Sequence, residues 1–129
     1  MLDFLVSTKF YKPLTMGRLT PRPRLDEKLD QSLQAGCRLA MVTAPAGFGK
    51  STLVSSWIER QQLPYSWLSL DAGDNNPRQF LCYFVSAIQK IDGSFGTDQL
   101  TRIQTADVSD SESVYTDIMV HLLNQLAAL

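Results

Sequence analysis

The feature of this sequence that most constrains its fold is a glycine-rich segment between two apolar stretches. Residues 44–51 read Ala-Pro-Ala-Gly-Phe-Gly-Lys-Ser, and the continuous apolar run Leu39–Val42 ends just before them. A run that is apolar on both faces is typical of a buried parallel strand. After the segment, Leu53, Trp57 and Ile58 recur at helical spacing. This order predicts a strand, a tight turn and a helix.

The glycine-rich segment follows the pattern of a phosphate-binding P-loop, Gly-x4-Gly-Lys-Ser/Thr, with alanine in place of the first glycine. Glycines allow the backbone to curl, so that successive N–H groups converge on phosphate oxygens at the start of the helix. The lysine would place a positive charge at the β- and γ-phosphates, and the serine hydroxyl would ligate Mg²⁺. We therefore predict a site for a magnesium–nucleoside triphosphate formed by Ala44, Pro45, Ala46, Gly47, Phe48, Gly49, Lys50, Ser51 and Thr52.

A second strand is predicted at Tyr65–Leu70, which is rich in aromatic and apolar residues. Together with Leu39–Val42 and the helix between them, it would form a βαβ unit with a right-handed crossover. The predicted fold is therefore α/β, a partial three-layer P-loop NTPase fold in which helices flank a parallel sheet.

Further helices are indicated on both sides of this unit. Leu25, Leu29 and Leu33 recur every four residues before the first strand, and Gly36 would end their helix. After the second strand, Asn76 and Pro77 suit the cap and the first position of a helix.

The C-terminal part of the sequence is predicted to contain one loop and one helix. Residues 92–110 are rich in Gly, Ser, Thr and Asp and read as a long loop. Ser109 and Glu112 have the spacing of a capping box and would open the last helix.

The composition is that of a globular protein. The chain has 129 residues, of which 44% are hydrophobic and 19% are charged, and no apolar run approaches the ~18 residues of a membrane span. Its two cysteines, Cys37 and Cys82, suggest neither a disulfide framework nor a zinc site, so we expect a cytoplasmic location. Residues 1–24 carry five basic side chains against Asp3 alone, and we interpret them as a basic N-terminal arm.

Several short motifs in a fixed order resemble the start of one protein family, the MalT-type, large ATP-binding LuxR-type transcriptional activators of the STAND class of NTPases. The resemblance covers about residues 5–91, and an alanine that opens the P-loop is usual in that family. The motifs that carry it are Thr8–Phe10, Arg22–Leu25, Val42–Leu53, Trp57, Trp67–Asp71 and Asp74–Asn75.

The resemblance implies a function and a set of partners. The family binds ATP or ADP with Mg²⁺, self-associates, and contacts DNA through a C-terminal domain that is absent from these residues. It also implies that Arg22 and Arg24 lie near the nucleotide. The strand that carries the family's paired aspartates would begin after residue 129. We therefore expect residues 25–129 to be an incomplete P-loop NTPase domain that binds nucleotide without hydrolysing it.

Two alternatives remain open from the sequence. The chain could be a compact P-loop nucleotide enzyme, similar to a small kinase, in which Asp71 after the second predicted strand holds the metal ion. The same aspartate would otherwise serve as a cap or turn residue. The chain could also be a non-functional fragment whose P-loop is a relic.

Overall fold

The computed structural model of the chain describes residues 5–14, 21–107 and 112–129, and helices dominate these ranges. Two short 3₁₀ turns lie at Ser7–Phe10 and Ala72–Asn75. The α-helices are α1 (Pro23–Gln34), α2 (Lys50–Gln61), α3 (Pro77–Gln89), α4 (Thr97–Thr105) and α5 (Glu112–Ala127). None of these helices has the length and apolar character needed to cross a membrane.

The chain divides into two compact units. Lys12–Pro64 contains α1 and α2, and we call it the two-helix unit. Met1–Tyr11 and Tyr65–Leu129 together contain α3, α4 and α5, and we call them the three-helix unit.

The predicted α/β fold with a parallel sheet is wrong, because the described ranges contain no β-strand. The run Leu39–Val42 has irregular backbone and lines a groove with Leu25 and Leu29 of α1. Leu39 is 81% exposed and Met41 80%, so the run is not buried on both faces. A sheet needs hydrogen bonds between neighbouring backbones, and an apolar run specifies burial without specifying such a partner.

The second predicted strand, Tyr65–Leu70, is also irregular. Single hydrogen bonds join this segment to its neighbours. The Ser69 N–H donates to the Lys9 carbonyl over 2.9 Å, and the Ser66 hydroxyl donates to the Ala87 carbonyl of α3. One backbone bond fixes the segment against the 3₁₀ turn Ser7–Phe10 without starting a ladder.

The core of the three-helix unit lies where α3, α4 and α5 meet. Gly96 comes just before α4 with a φ of +64°, and a Cβ at this position would lie 2.9 Å from Leu122 and 3.1 Å from Val85. Glycine is therefore required here both for its backbone conformation and for the close approach of α5. The buried core residues are Leu81, Cys82, Val85, Phe95, Ile103, Ile118 and Leu122.

Helix α4 corrects the prediction of a long loop over residues 92–110. Ile103 of this helix is fully buried, and Leu100, three residues earlier, packs against the same core. Within α4, Leu100 and Ile103 are the two apolar residues and both pack against the core. The rest of the helix is polar, so its composition indicated a loop although the spacing of these two residues suits a helix.

The predicted end of α1 and the predicted start of α3 agree with the structure. Gly36 follows α1 with a φ of +70°. The Asn76 side chain caps α3 by accepting a hydrogen bond from the Gln79 N–H over 3.2 Å, and Pro77 is the first residue of that helix. Ser109, the predicted cap of the last helix, lies outside the described residues.

An ion-pair cluster ties the first 3₁₀ turn of the three-helix unit to the second. Lys9 Nζ lies 2.5 Å from Asp74 Oδ2 and 3.0 Å from Asp71 Oδ2, and it also lies 4.8 Å from the centre of the Tyr83 ring. The hydrogen bond from Lys9 holds the pKa of Asp74 below its usual value, and the bond to Asp74 raises the pKa of Lys9. Both shifts favour the charged pair.

Replacing Asp74 with asparagine is expected to make the free energy of unfolding depend less on pH in the acid range. A carboxyl with a depressed folded pKa contributes stability above its unfolded pKa of about 3.9, and loses it as the pH falls through the folded value. Urea unfolding at a series of pH values should therefore show that the free energy of unfolding falls more steeply toward acid pH in the wild type than in Asp74→Asn. Asp98→Asn, on the exposed side of α4, is the control; a wild-type profile identical to that of Asp74→Asn would contradict the prediction.

Candidate phosphate-binding loop

The glycine-rich segment forms a turn that leads directly into α2. Gly47 has a φ of +86° and Gly49 a φ of +79°, and Gly49 is the residue that precedes the helix. The Gly49 carbonyl accepts the first helical hydrogen bond, from the Leu53 N–H over 2.8 Å. Both glycines adopt the left-handed backbone region that side chains disfavour. They therefore occupy these positions for a conformational reason.

The residues predicted to bind phosphate lie together at the start of α2. Lys50 is the first residue of the helix, and Ser51 is exposed in its first turn. The first N–H groups of a helix have no partner within it, and the helix dipole adds partial positive charge at the same end. A Cβ at Gly47 would meet nothing within 4 Å. The loop is thus open on this side and offers donors and positive charge to an anion.

Lys50 bends back over the loop. Its Nζ donates a hydrogen bond to the carbonyl of Ala44, the residue that opens the P-loop pattern. The ammonium group therefore lies across the turn, on the carbonyl of Ala44. A phosphate would offer this ammonium a charged acceptor in exchange for a neutral carbonyl.

The two arginines that the resemblance places near the nucleotide have different positions. Arg22 comes just before α1, and its Nη1 donates to the Phe48 carbonyl of the loop over 3.0 Å. Arg24 is exposed in the first turn of α1. The structure thus brings Arg22 to the predicted site and leaves Arg24 facing solvent.

Polar contacts between α1 and α2 hold the helix that carries the loop. Asp30 Oδ1 accepts hydrogen bonds from Trp57 Nε1 and from Gln61 Nε2, each over 2.8 Å. Asp26 forms an ion pair with Arg60 over 2.5 Å. Sequence reasoning missed these roles. The available signal was the spacing of the two aspartates, four residues apart between the leucines of α1.

Lys12 and Pro13, near the N-terminus, contact α2 through polar groups. Ser55 is fully buried, and its Oγ donates to the Pro13 carbonyl over 2.8 Å. Lys12, the preceding residue, pairs with Glu59 over 2.5 Å, one turn further along α2. A serine among apolar helix residues gave no sequence signal for this contact.

Asp71, the alternative metal ligand, has a structural role in the three-helix unit. Its Oδ1 accepts a hydrogen bond from the Gly73 N–H over 2.8 Å, and its Oδ2 pairs with Lys9. With Asp74 it forms a reciprocal capping box around the turn Ala72–Asn75. Both oxygens thus have partners, and the described ranges contain no cluster of three or more His, Cys, Asp or Glu side chains suited to a metal ion.

A magnesium ion would fit the loop only as part of a nucleotide complex. Mg²⁺ keeps several waters and is held in nucleotide sites by few protein ligands together with phosphate oxygens. The exposed hydroxyl of Ser51, in the first turn of α2, could serve as one such protein ligand. The residues present therefore suit a metal that arrives with the phosphates.

The known proteins to which the chain is similar include two bacterial transcriptional regulators. The chain is 32% identical over 118 residues to the HTH-type transcriptional regulator MalT of Cronobacter sakazakii, a match that covers 92% of the chain and 13% of that relative. It is 30% identical over 118 residues to the MalT of Klebsiella pneumoniae, with the same coverage. No protein-family model matches the chain, and no solved structure matches it significantly. Over most of its length, the chain is thus similar to a segment that makes up about 13% of MalT-type regulators.

Proposed function

We propose that this chain binds ATP or ADP with Mg²⁺ through residues 44–52 and is the nucleotide-binding segment of a MalT-type transcriptional regulator. One observation carries the proposal: two glycines with positive φ lead into α2, and Lys50 and Ser51 occupy the first turn of that helix. A P-loop needs this combination of curled backbone, helix N-terminus, point charge and hydroxyl. The sequence similarity supports the regulatory setting.

Each group has a definite role in this proposal. The N–H groups of Gly49, Lys50 and Ser51 would donate to the phosphate oxygens, and Lys50 would exchange its contact with the Ala44 carbonyl for the β- and γ-phosphates. Ser51 would ligate Mg²⁺, which neutralises phosphate charge. The chain's own residues thus bind and orient the triphosphate.

The role of the whole regulator is also a proposal, since the chain spans about 13% of the length of its relatives. We propose that nucleotide binding here controls self-association, and that DNA is bound by another domain of the regulator. We further propose that these residues do not hydrolyse ATP by themselves, because Asp71, the acid that the sequence offered as a metal ligand, caps a turn of the three-helix unit. No observation favours a kinase-like enzyme, because Asp71 has its oxygens engaged by Gly73 and Lys9.

Removing the Ser51 hydroxyl tests the magnesium part of the proposal. Ser51→Ala is expected to weaken ATP binding about tenfold when Mg²⁺ is present, because the metal ion loses its hydroxyl ligand. When a chelator removes Mg²⁺, the same substitution should change ATP binding little. Isothermal titration calorimetry of the purified chain in both conditions measures the difference. Ser56→Ala is the matched control, because the Ser56 hydroxyl donates to the Leu53 carbonyl of its own helix. An equal loss for Ser51→Ala in both conditions would assign the hydroxyl a structural role.

A further inference from the structure

The contact of Arg22 with the glycine-rich loop has a geometry that suggests a specific role. While Nη1 donates to the Phe48 carbonyl, Nη2 lies 3.6 Å from the position that a Cβ on Gly49 would occupy. The guanidinium therefore lies against the peptide group that joins Phe48 to Gly49. Both partners belong to the two-helix unit.

The orientation of this peptide group decides where one phosphate donor points. A peptide is planar and trans, so its carbonyl and its N–H point in opposite directions. A fixed Phe48 carbonyl therefore directs the Gly49 N–H to the other side of the chain. Gly49 also holds the φ of +79° from which α2 begins, and its carbonyl accepts the hydrogen bond from Leu53.

We propose that Arg22 is a positioning residue of the phosphate-binding loop, which acts by holding the Phe48 carbonyl and thereby directing the Gly49 N–H before any ligand arrives. This inference rests on the proposed nucleotide binding for its functional meaning. It assigns Arg22 an action through the loop backbone, in contrast to a direct contact with the nucleotide. A loop that is already ordered loses less conformational freedom on binding, and its affinity is higher for that reason.

The contact itself is tested by amide hydrogen exchange on the nucleotide-free chain. In Arg22→Ala, the amides of Phe48 and Leu53 are expected to exchange about threefold to tenfold faster, because one hydrogen bond that keeps the turn closed is lost. Lys28→Ala removes the same charge from the exposed side of α1 and should leave these amides unchanged. Arg22→Lys, which keeps one donor, should restore part of the protection. Unchanged exchange in Arg22→Ala would overturn the inference.

Nucleotide titrations then separate positioning from a direct contact with the terminal phosphate of ATP. If Arg22 acts through the loop, Arg22→Ala lowers the affinities for ATP and for ADP by the same factor, about threefold to tenfold. A loss confined to ATP would overturn the inference in favour of a contact with the terminal phosphate. Failure of the wild-type chain to bind either nucleotide, with faster loop exchange in Arg22→Ala, would remove the proposed function and leave the positioning contact established.

Discussion

Leu122→Ala is expected to destabilise the three-helix unit by about 2–5 kcal/mol, the usual effect of truncating a fully buried leucine. Leu122 is fully buried between α5 and the other two helices, and its Cδ2 comes within 2.9 Å of the position of a Cβ on Gly96. The truncation would leave a cavity that the tightly packed glycine turn cannot fill. Because small domains are stable by only about 5–15 kcal/mol, a large part of the folded population could be lost.

The next residue along α5 supplies the matched control. Leu123 is 49% exposed, so Leu123→Ala removes the same atoms from a site that is already half in water. Its expected cost is below about 1 kcal/mol. Urea unfolding followed by circular dichroism measures both variants under the same conditions. Similar losses for the two leucines would show that α5 does not pack as described.

Lys50→Ala is expected to reduce ATP affinity about tenfold to a hundredfold. The substitution removes the ammonium that lies across the turn on the Ala44 carbonyl, and a charge-assisted contact with phosphate is worth about 1.5–3 kcal/mol. Calorimetry with ATP and Mg²⁺ measures the change. The effect should be larger than that of Arg22→Ala, because the proposed function gives Lys50 a direct contact with the ligand, whereas Arg22 is proposed to act through the loop.

The controls for Lys50→Ala separate binding from folding. Lys28→Ala removes an equal charge from α1 and is expected to bind ATP as the wild type does. Circular dichroism should give the same helix content for Lys50→Ala as for wild type, since alanine is a good helix former at this position. Equal ATP affinity for Lys50→Ala and wild type would remove the proposed function.

The sequence predicted the helices and the loop better than it predicted the sheet. Glycines at 47 and 49, a lysine and a serine define the loop through local backbone requirements, and the structure places all four at the start of α2. Asn76 and Pro77 define the start of α3 in the same local way. Such features depend on neighbouring residues, so short patterns are enough to find them.

The sheet could not be predicted reliably, because a strand depends on hydrogen bonds with a partner strand, and that partner can lie anywhere in the chain. Leu39–Val42 has the apolar character of a buried strand, yet it lies as irregular backbone beside α1. The contact between Arg22 and Phe48 was equally hidden, since its partners are 26 residues apart and one of them is a backbone carbonyl. Helix α4 was missed for a different reason: its few core contacts lie in a polar stretch.

The hydrogen bond between Trp57 and Asp30 also gives the two-helix unit an optical probe. The chain has two tryptophans, and each unit contains one of them. Trp57 Nε1 donates to Asp30 in the two-helix unit, and Trp67 Nε1 donates to Ser69 in the three-helix unit over 3.0 Å. In Trp67→Phe the indole fluorescence comes from the two-helix unit alone, and in Trp57→Phe it comes from the three-helix unit alone. Denaturation curves of the two variants therefore show whether the units unfold together, because coincident transitions from different probes indicate a single cooperative step.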